Sequence, residues 1–272
     1  MLEFLSPLFP LWGVCEAPGG ERHVLSAAFP YRLPEEYYAG RNVARYAVGV
    51  DYHAVCGQRL ERACALLHAA WPGEEFAWFC DSRAGNAPAA GSPRFLPEVE
   101  LALRAGIGVR GRHNLLITKD YGSWVFLGEI VTTAPLPVPA TRPLPPSPCE
   151  NCPAPCLSAC PTGALGAATF APAKCLSAIT QRKGALRPEE EAQLRRAQTA
   201  WGCDLCQEAC LANQSACVHP LPEFLGGALA HVTQQTPIAG RAYAWRGEEV
   251  LLRNLRVINA TPAALADQNL EV

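Results

Sequence analysis

The chain has 272 residues, nearly half of them hydrophobic, and a formal net charge of -2. That length suits one medium domain with a smaller one and supports a sizeable core. So small a net charge gives no global attraction to nucleic acid, which leaves any RNA contact to a local basic surface. Thirteen cysteines, odd in number and crowded into one segment, fit metal ligation better than disulfides and predict a reducing, cytoplasmic setting. The apolar start from Met1 to Val14 lacks a basic leading region, carries Glu3 and is interrupted by Pro7 and Pro10, unlike a signal peptide. No other stretch is suited to span a bilayer, so no membrane partner is expected.

In chain order, the apolar run Val24 to Tyr31 predicts a buried strand. Tyr52, Cys56, Leu60, Ala63 and Leu67 recur at helical spacing and predict an amphipathic helix over Asp51 to Ala70, with Cys56 and Cys64 as core thiols. A second buried strand is expected over Phe76 to Cys80, ending at Asp81. The stretch Arg83 to Pro93 is a Gly/Ala/Pro-rich loop. A helix from Pro97 to Ala105 leads to strand-like runs at Leu115 to Thr118 and Ser123 to Thr133, joined by a turn at Asp120-Tyr121-Gly122. Seven prolines in the fourteen residues from Pro135 to Pro148 resist helix and sheet and mark the clearest boundary. Further helices are predicted from Pro188 to Trp201 and from Gly247 to Val257. The class is α+β, with an α/β domain over 1–134, a proline-rich linker over 135–148, a cysteine domain over 149–217 and an extension with a short helix over 218–272.

The chemistry is concentrated in Cys149-Glu-Asn-Cys152-Pro-Ala-Pro-Cys156-Leu-Ser-Ala-Cys160-Pro161 and in Cys175 followed by Cys203-Asp-Leu-Cys206-Gln-Glu-Ala-Cys210. Eight soft thiolates suit two 4Fe-4S cubanes, since close spacing lets a loop wrap a cluster and proline turns the chain away. In two-cluster ferredoxins the cysteine before that proline ligates the other cluster. This assigns Cys149, Cys152, Cys156 and Cys210 to one cubane and Cys160, Cys175, Cys203 and Cys206 to the other. Two C-x2-C pairs also suit tetrahedral zinc, which iron content distinguishes. Three residues rather than two separate Cys152 from Cys156, and Leu211 rather than proline follows Cys210, so Cys217 stays open as an alternative eighth ligand. Cys15 and Cys80 carry no assignment as metal ligands.

These cysteines, together with Arg45-Tyr46-Ala47, Asp51-Tyr52-His53, Phe79-Cys80-Asp81-Ser82, Ala105-Gly106-Ile107-Gly108, His113-Asn114-Leu115-Leu116-Ile117, the stretch Gly122 to Glu129 and Trp201-Gly202-Cys203-Asp204, resemble the epoxyqueuosine reductase family, cobalamin-dependent enzymes related to reductive dehalogenases. The likeness runs over roughly residues 24 to 215 in family order. It implies a nitroreductase-like α/β domain that seats cobalamin over a ferredoxin-like double 4Fe-4S module. It further implies an oxidoreductase that takes electrons from an external low-potential donor and removes the epoxide oxygen of epoxyqueuosine in a tRNA anticodon loop. Amino-acid side chains supply no such electrons, so a cofactor must.

By position, Asp81 matches the family's proton donor, while Arg45, His113, Ser123, Ser177 and Lys183 match residues near the corrinoid. Each has an ordinary structural reading: a strand-end turn for Asp81, a satisfied core histidine for His113, a helix cap for Ser177, solvated charges for Arg45 and Lys183. The segment before the first strand is shorter than in full-length enzymes. The helical-repeat domain that helps grip tRNA is missing, although Trp245-Arg246-Gly247 and Leu251-Leu252-Arg253-Asn254 resemble its opening. A cobalamin-dependent reductase of a small molecule and a non-enzymatic 4Fe-4S electron carrier are the alternatives.

Overall fold

Strands rich in continuous apolar residues need cover on both faces, and here two helices provide it for one sheet. A computed structural model describes residues 2–20, 22–81, 83–84, 97–139 and 146–260. Strands β1 (Leu11–Glu16) and β2 (His23–Pro30) form a hairpin, and helix α1 (Tyr52–Ala70) leads to β3 (Phe76–Cys80) and the short β4 (Arg83–Ala84). Helix α2 (Glu98–Arg104), strands β5 (Val109–Arg110) and β6 (Leu116–Ile117), and the long β7 (Val125–Thr132) follow. The sheet order is β1-β2-β7-β3-β4, and β7 pairs antiparallel with both of its neighbours. Thus β2 and β3 run parallel, α1 crosses between them, and β7 inserts into the gap. Strand and helix alternate in sequence as expected, yet among the described residues every strand pairing in this sheet is antiparallel because this late strand occupies the centre.

The two faces of β7 bury different partners. Ile130 packs in the cluster that holds Leu60 and Leu67 of α1, whereas Val131 packs with Leu101 and Ala102 of α2. At Gly128 an added Cβ would stand 2.8 Å from Leu60 Cδ1, so α1 lies on the sheet at a distance only glycine permits there. Asp51 begins α1 by accepting from the His53 N–H at 3.1 Å. The hairpin partner β1 is an edge strand that is not among the elements predicted from the sequence.

The cysteine-rich segment contributes α3 (Pro155–Ser158), α4 (Leu176–Gln181), α5 (Pro188–Ala197), α6 (Leu205–Glu208) and α7 (Leu211–Gln214), and α8 (Glu248–Asn259) follows. Helix α5 ends at Ala197, four residues before the expected Trp201, because Gln198 turns left-handed with φ 48°. Trp201 is instead fully buried with Tyr243, in a core shared with Leu60 and Leu255. Residues 140–145 of the proline-rich stretch and 85–93 of the Gly/Ala/Pro loop lie outside the described residues. No helix among the described residues is long and apolar enough to cross a membrane.

Asn254 fixes α8 to the cysteine-rich segment: its Nδ2 donates to the carbonyls of Thr180 at 2.7 Å and Ala200 at 2.8 Å, fully buried. Asn254→Ala strands both acceptors, at about 1–3 kcal/mol for each buried group left unpaired. Chemical denaturation of the cluster-loaded protein should show that loss of stability.

Candidate functional site

A cavity of about 390 Å³ opens between the sheet and the cysteine-rich segment. Leu115, Val125, Leu127, Leu165, Phe170 and Leu176 give it an apolar lining. Cys160, Cys175, Cys203 and Cys206 also reach it, as do Asp81, His113, Ser123 and Ser177. Four cysteines that are remote in sequence from the sheet therefore share one space with the residue that ends β3.

Asp81 terminates β3 with φ 54°, a left-handed conformation that aspartate tolerates better than most residues. The turn brings its carboxylate over the start of α1, where it accepts from Tyr52 Oη at 3.0 Å and lies 3.4 Å from His53 Nε2. Tyr52 is sandwiched between Phe126, parallel to within 6° at 4.1 Å, and the His53 ring at 4.0 Å. Burial, reinforced by Asp81, raises the Tyr52 phenol and keeps it a neutral donor. Burial opposes the charge on His53, but hydrogen bonds to Asp51 and Asp81 outweigh it and raise the imidazole from 6.5 to about 9. Asp81 itself is not buried beneath an apolar lid: its side chain is 53% exposed, and polar neighbours rather than desolvation define its surroundings.

His113 and Ser123 form the polar part of the lining. His113 Nδ1 accepts from the Leu115 N–H at 3.3 Å, which leaves the proton on Nε2, and Nε2 is buried without a partner. Burial pushes the ring down to about 4, so it is a neutral donor. Ser123 Oγ accepts from Asn213 Nδ2 at 2.8 Å and Gln207 Nε2 at 3.1 Å. Ser177 Oγ accepts from Gln181 Nε2 at 3.2 Å and sits on α4 at the opposite side of the same space.

The cysteines gather as two quartets. Burial and then the neighbouring Cys210, Cys149 and Cys152 raise the Cys156 thiol. Cys203 rises to about 12 through burial, with Cys175 and Cys160 among the lesser causes, and Cys206 rises for the same reasons. The extra residue between Cys152 and Cys156 is absorbed at Ala154, which turns left-handed with φ 58° at the start of α3. Cys210 caps α7 and packs with Cys149, whereas Cys217 is exposed and its backbone N–H is tied to the Asp120 carbonyl at 2.7 Å. No three metal-binding side chains among the described residues close round a single ion, whereas a cubane spreads its thiolates over four corners.

Two residues named from the sequence do not line this cavity. Arg45 turns away to pair with Glu208 at 3.1 Å and Glu35 at 3.0 Å, with its guanidinium 4.2 Å over the Tyr38 ring. Lys183 lies two residues beyond Gln181 and lines a separate recess. Conversely Tyr46, Phe126, Gln181 and Gln207 line the cavity, although none of them is among the site residues named from the sequence. Tyr46 stands in the Arg45-Tyr46-Ala47 motif, but motif membership carries no information about which side chain faces inward.

The His53 pairing has a pH signature. Because its folded pKa of about 9 exceeds the unfolded value near 6.5, the pair stabilises fully below pH 6.5 and its contribution disappears as pH rises through 9. The His53 imidazole should titrate near pH 9 by NMR, and Asp51→Asn should lower that midpoint. A wild-type midpoint at or below 6.5 rules the pairing out.

Known proteins show the same organisation. Residues 17–82 match the family described as "Epoxyqueuosine reductase QueG, DUF1730", and residues 148–213 match the 4Fe-4S double cluster binding domain, so the chain carries an iron-sulfur double-cluster domain rather than a pair of zinc sites. The epoxyqueuosine reductase of Listeria monocytogenes is 34% identical over 256 residues, covering 87% of this chain and 62% of that protein. The structure of epoxyqueuosine reductase from Streptococcus thermophilus superposes with a TM-score of 0.68 at 28% identity, covering 91% of this chain and 65% of that one. The fold is also that of an epoxyqueuosine reductase crystallised with an epoxyqueuosine-modified tRNA stem loop, with a TM-score of 0.73 at 22% identity over 98% of this chain and 82% of that one. The chain thus spans somewhat less than two thirds of the Listeria and Streptococcus relatives, and within that span it belongs to the epoxyqueuosine reductase family.

Proposed function

We propose that this chain reduces epoxyqueuosine to queuosine in a tRNA anticodon loop, using cobalamin seated in the cavity and electrons relayed from an external low-potential donor in the cytoplasm. One observation carries the reading: a single cavity is lined on one side by Cys160, Cys175, Cys203 and Cys206 and on the other by Asp81. A source of electrons and a source of protons thus face the same space. Loss of an epoxide oxygen takes two electrons and two protons, breaks both of its carbon-oxygen bonds, leaves a carbon-carbon double bond and releases water, so electrons and protons are both required at the epoxide.

The lining fits a flat, amide-fringed macrocycle. Leu115, Val125 and Leu176 offer apolar surface, while His113 Nε2–H is a buried donor awaiting an acceptor and Ser123, already accepting two hydrogen bonds, has its own proton free to donate. Cobalamin, when bound, supplies a low-potential metal centre able to pass electrons into the carbon-oxygen bond. The protein's share is orientation, exclusion of water and proton delivery. In this reading Asp81 passes a proton to the departing oxygen, the His53 imidazolium in contact with its carboxylate is the group that can resupply it, and Tyr52 Oη–H, which stays protonated, orients the carboxylate. Cys149, Cys152, Cys156 and Cys210 hold the outer cubane, and Cys160, Cys175, Cys203 and Cys206 the one beside the cavity.

Anaerobically reconstituted protein with cobalamin and a low-potential reductant should convert epoxyqueuosine in tRNA to queuosine, read by nucleoside mass spectrometry. Absence of conversion with both clusters intact rejects the reading. Asp81→Asn should cost on the order of a hundredfold or more in turnover, within the usual range for general acid catalysis, with clusters and cobalamin binding retained. The two quartets predict that Cys149→Ser and Cys175→Ser remove different paramagnetic signals from the reduced protein. Loss of the same signal in both would contradict the assignment.

A further inference from the structure

The second recess is a concentration of positive charge in a chain whose net charge is negative. It has a volume of about 640 Å³ and lies between the loop that follows α4 and the first turns of α8. Lys183, Arg246, Arg253 and Arg256 line it against one carboxylate, Glu249. Lys183 and Arg256 are exposed, and no ion pair forms to either of them or to Arg246 among the described residues.

The four cations are not equivalent. Arg253 is structural: its Nη1 donates to the carbonyls of Arg182 at 2.6 Å and Gly184 at 2.5 Å, and its Nη2 to Asn254 Oδ1 at 2.8 Å. It therefore fixes the Lys183-Gly184 turn against α8 and gives the recess a rigid floor. Burial, followed by repulsion from the Arg182 cation, lowers its pKa, which is what crowding of like charges does. Arg246 is held by stacking, its guanidinium 3.8 Å from the centroid of the exposed Trp245 ring. Its Nε is shielded from water and has no acceptor. A buried donor without an acceptor costs free energy unless a ligand completes it. Lys183 and Arg256 are the exposed charges of the lining.

Geometry selects the anion. Gln181 lines the first cavity and Lys183 the second, so the two linings approach to within two residues, roughly 7 Å of chain at full extension. A nucleotide whose base enters the cavity from the Gln181 side carries its flanking phosphates toward this recess. We propose that the recess is a phosphate-binding site for the RNA backbone next to the nucleotide being reduced, with Arg246 and Arg256 as hydrogen-bonding cations and Lys183 as a point charge. Guanidinium groups pair with phosphate through planar paired donors, and neutralised phosphates release counterions, so such contacts carry affinity and salt dependence without reading sequence. The proposal rests on the tRNA reading above and adds where the substrate is held.

The test uses the cluster-loaded chain without cobalamin and an unmodified anticodon stem-loop RNA, with affinity measured by fluorescence anisotropy across a salt series. Lys183→Ala/Arg256→Ala should weaken binding about tenfold at moderate salt and reduce the slope of log affinity against log salt by roughly 0.7–0.9 for each phosphate that is no longer neutralised. Iron content should be unchanged, and Arg62→Ala, on an exposed part of α1, should leave both quantities at the wild-type value. An unchanged slope in the double variant, or an equal fall in Arg62→Ala, overturns the recess as a site while the tRNA reading stands. Failure of the wild type to bind the RNA at all overturns both. A separate cobalamin titration covers the other phosphate source: weakened cobalamin affinity with unchanged RNA affinity in the double variant assigns the recess to the cofactor and overturns the proposal.

Discussion

A buried carboxylate joins the cysteine-rich segment to the sheet domain. Asp204 is 4% exposed and lies between Cys203 and Cys206. Burial raises it to about 6, while the backbone N–H of Arg45, donating at 2.5 Å, and the Arg41 cation at 3.9 Å favour its ionised form. Removing one partner of such a group costs several kcal/mol because the other is left desolvated and unpaired. The Arg45 side chain extends the joint to Glu208 on α6, and the backbone closes it with Ala44 N–H to Trp201 O at 2.7 Å and Ala200 N–H to Asn42 O at 2.6 Å. Arg45, matched by resemblance to a cofactor contact, therefore acts here as part of the attachment between the two regions.

The cavity is a consequence of that attachment. With Cys203 and Cys206 fixed against the Ala44–Tyr46 segment, the inner quartet faces the aromatic group of Tyr52 and Phe126 across a space that neither region encloses alone. Electron transfer needs the donor close to the acceptor, and proton transfer needs hydrogen-bond contact. In the proposed reaction both conditions would be set by the same interface. Backbone and hydroxyl groups around Cys160 add to this, since hydrogen bonds from Thr162 and from the Leu165 and Ala164 backbone outweigh burial and lower its thiol. Hydrogen bonds to cluster sulfur are one of the protein's means of setting a reduction potential.

What could be read from the sequence was what is encoded locally. Helix α1 was legible because Asp51 caps it and Cys56, Leu60, Ala63 and Leu67 repeat at helical spacing, and β3 because Phe76 to Cys80 is a short apolar run ended by a polar residue. The double-cluster domain was legible from cysteine spacing, and the matched residues 148–213 contain all eight of those cysteines. Strand β1 was not, since its residues follow two prolines at an apolar terminus and its pairing with β2 is the only thing that makes it a strand. Nor was the central place of β7, which depends on a partner a hundred residues earlier. The His53-Asp81 contact spans 28 residues and needs the left-handed turn at Asp81, while the different destinations of Arg45 and Lys183 follow from tertiary neighbours that no periodicity marks.

The same logic explains the turn before β7. Gly122 has φ 57°, and a Cβ there would stand 2.2 Å from Asn213 Oδ1. That oxygen accepts from the Ser123 N–H at 2.7 Å, which fixes the amide so that its Nδ2 must face Ser123 Oγ and the Gln207 carbonyl. Gln207 Nε2, with two hydrogens, lies within hydrogen-bond reach of Ser123 O at 2.9 Å, Ser123 Oγ at 3.1 Å and the Tyr31 hydroxyl at 3.3 Å. Both amides approach the Ser123 hydroxyl as donors, which leaves its own hydrogen free to donate in the cavity that the residue lines. A glycine in the sheet domain and an asparagine just past Cys210 together orient one hydroxyl between them. Buried amides are costly unless fully satisfied, so this joint resists rearrangement and holds the polar side of the site in one protonation and one direction.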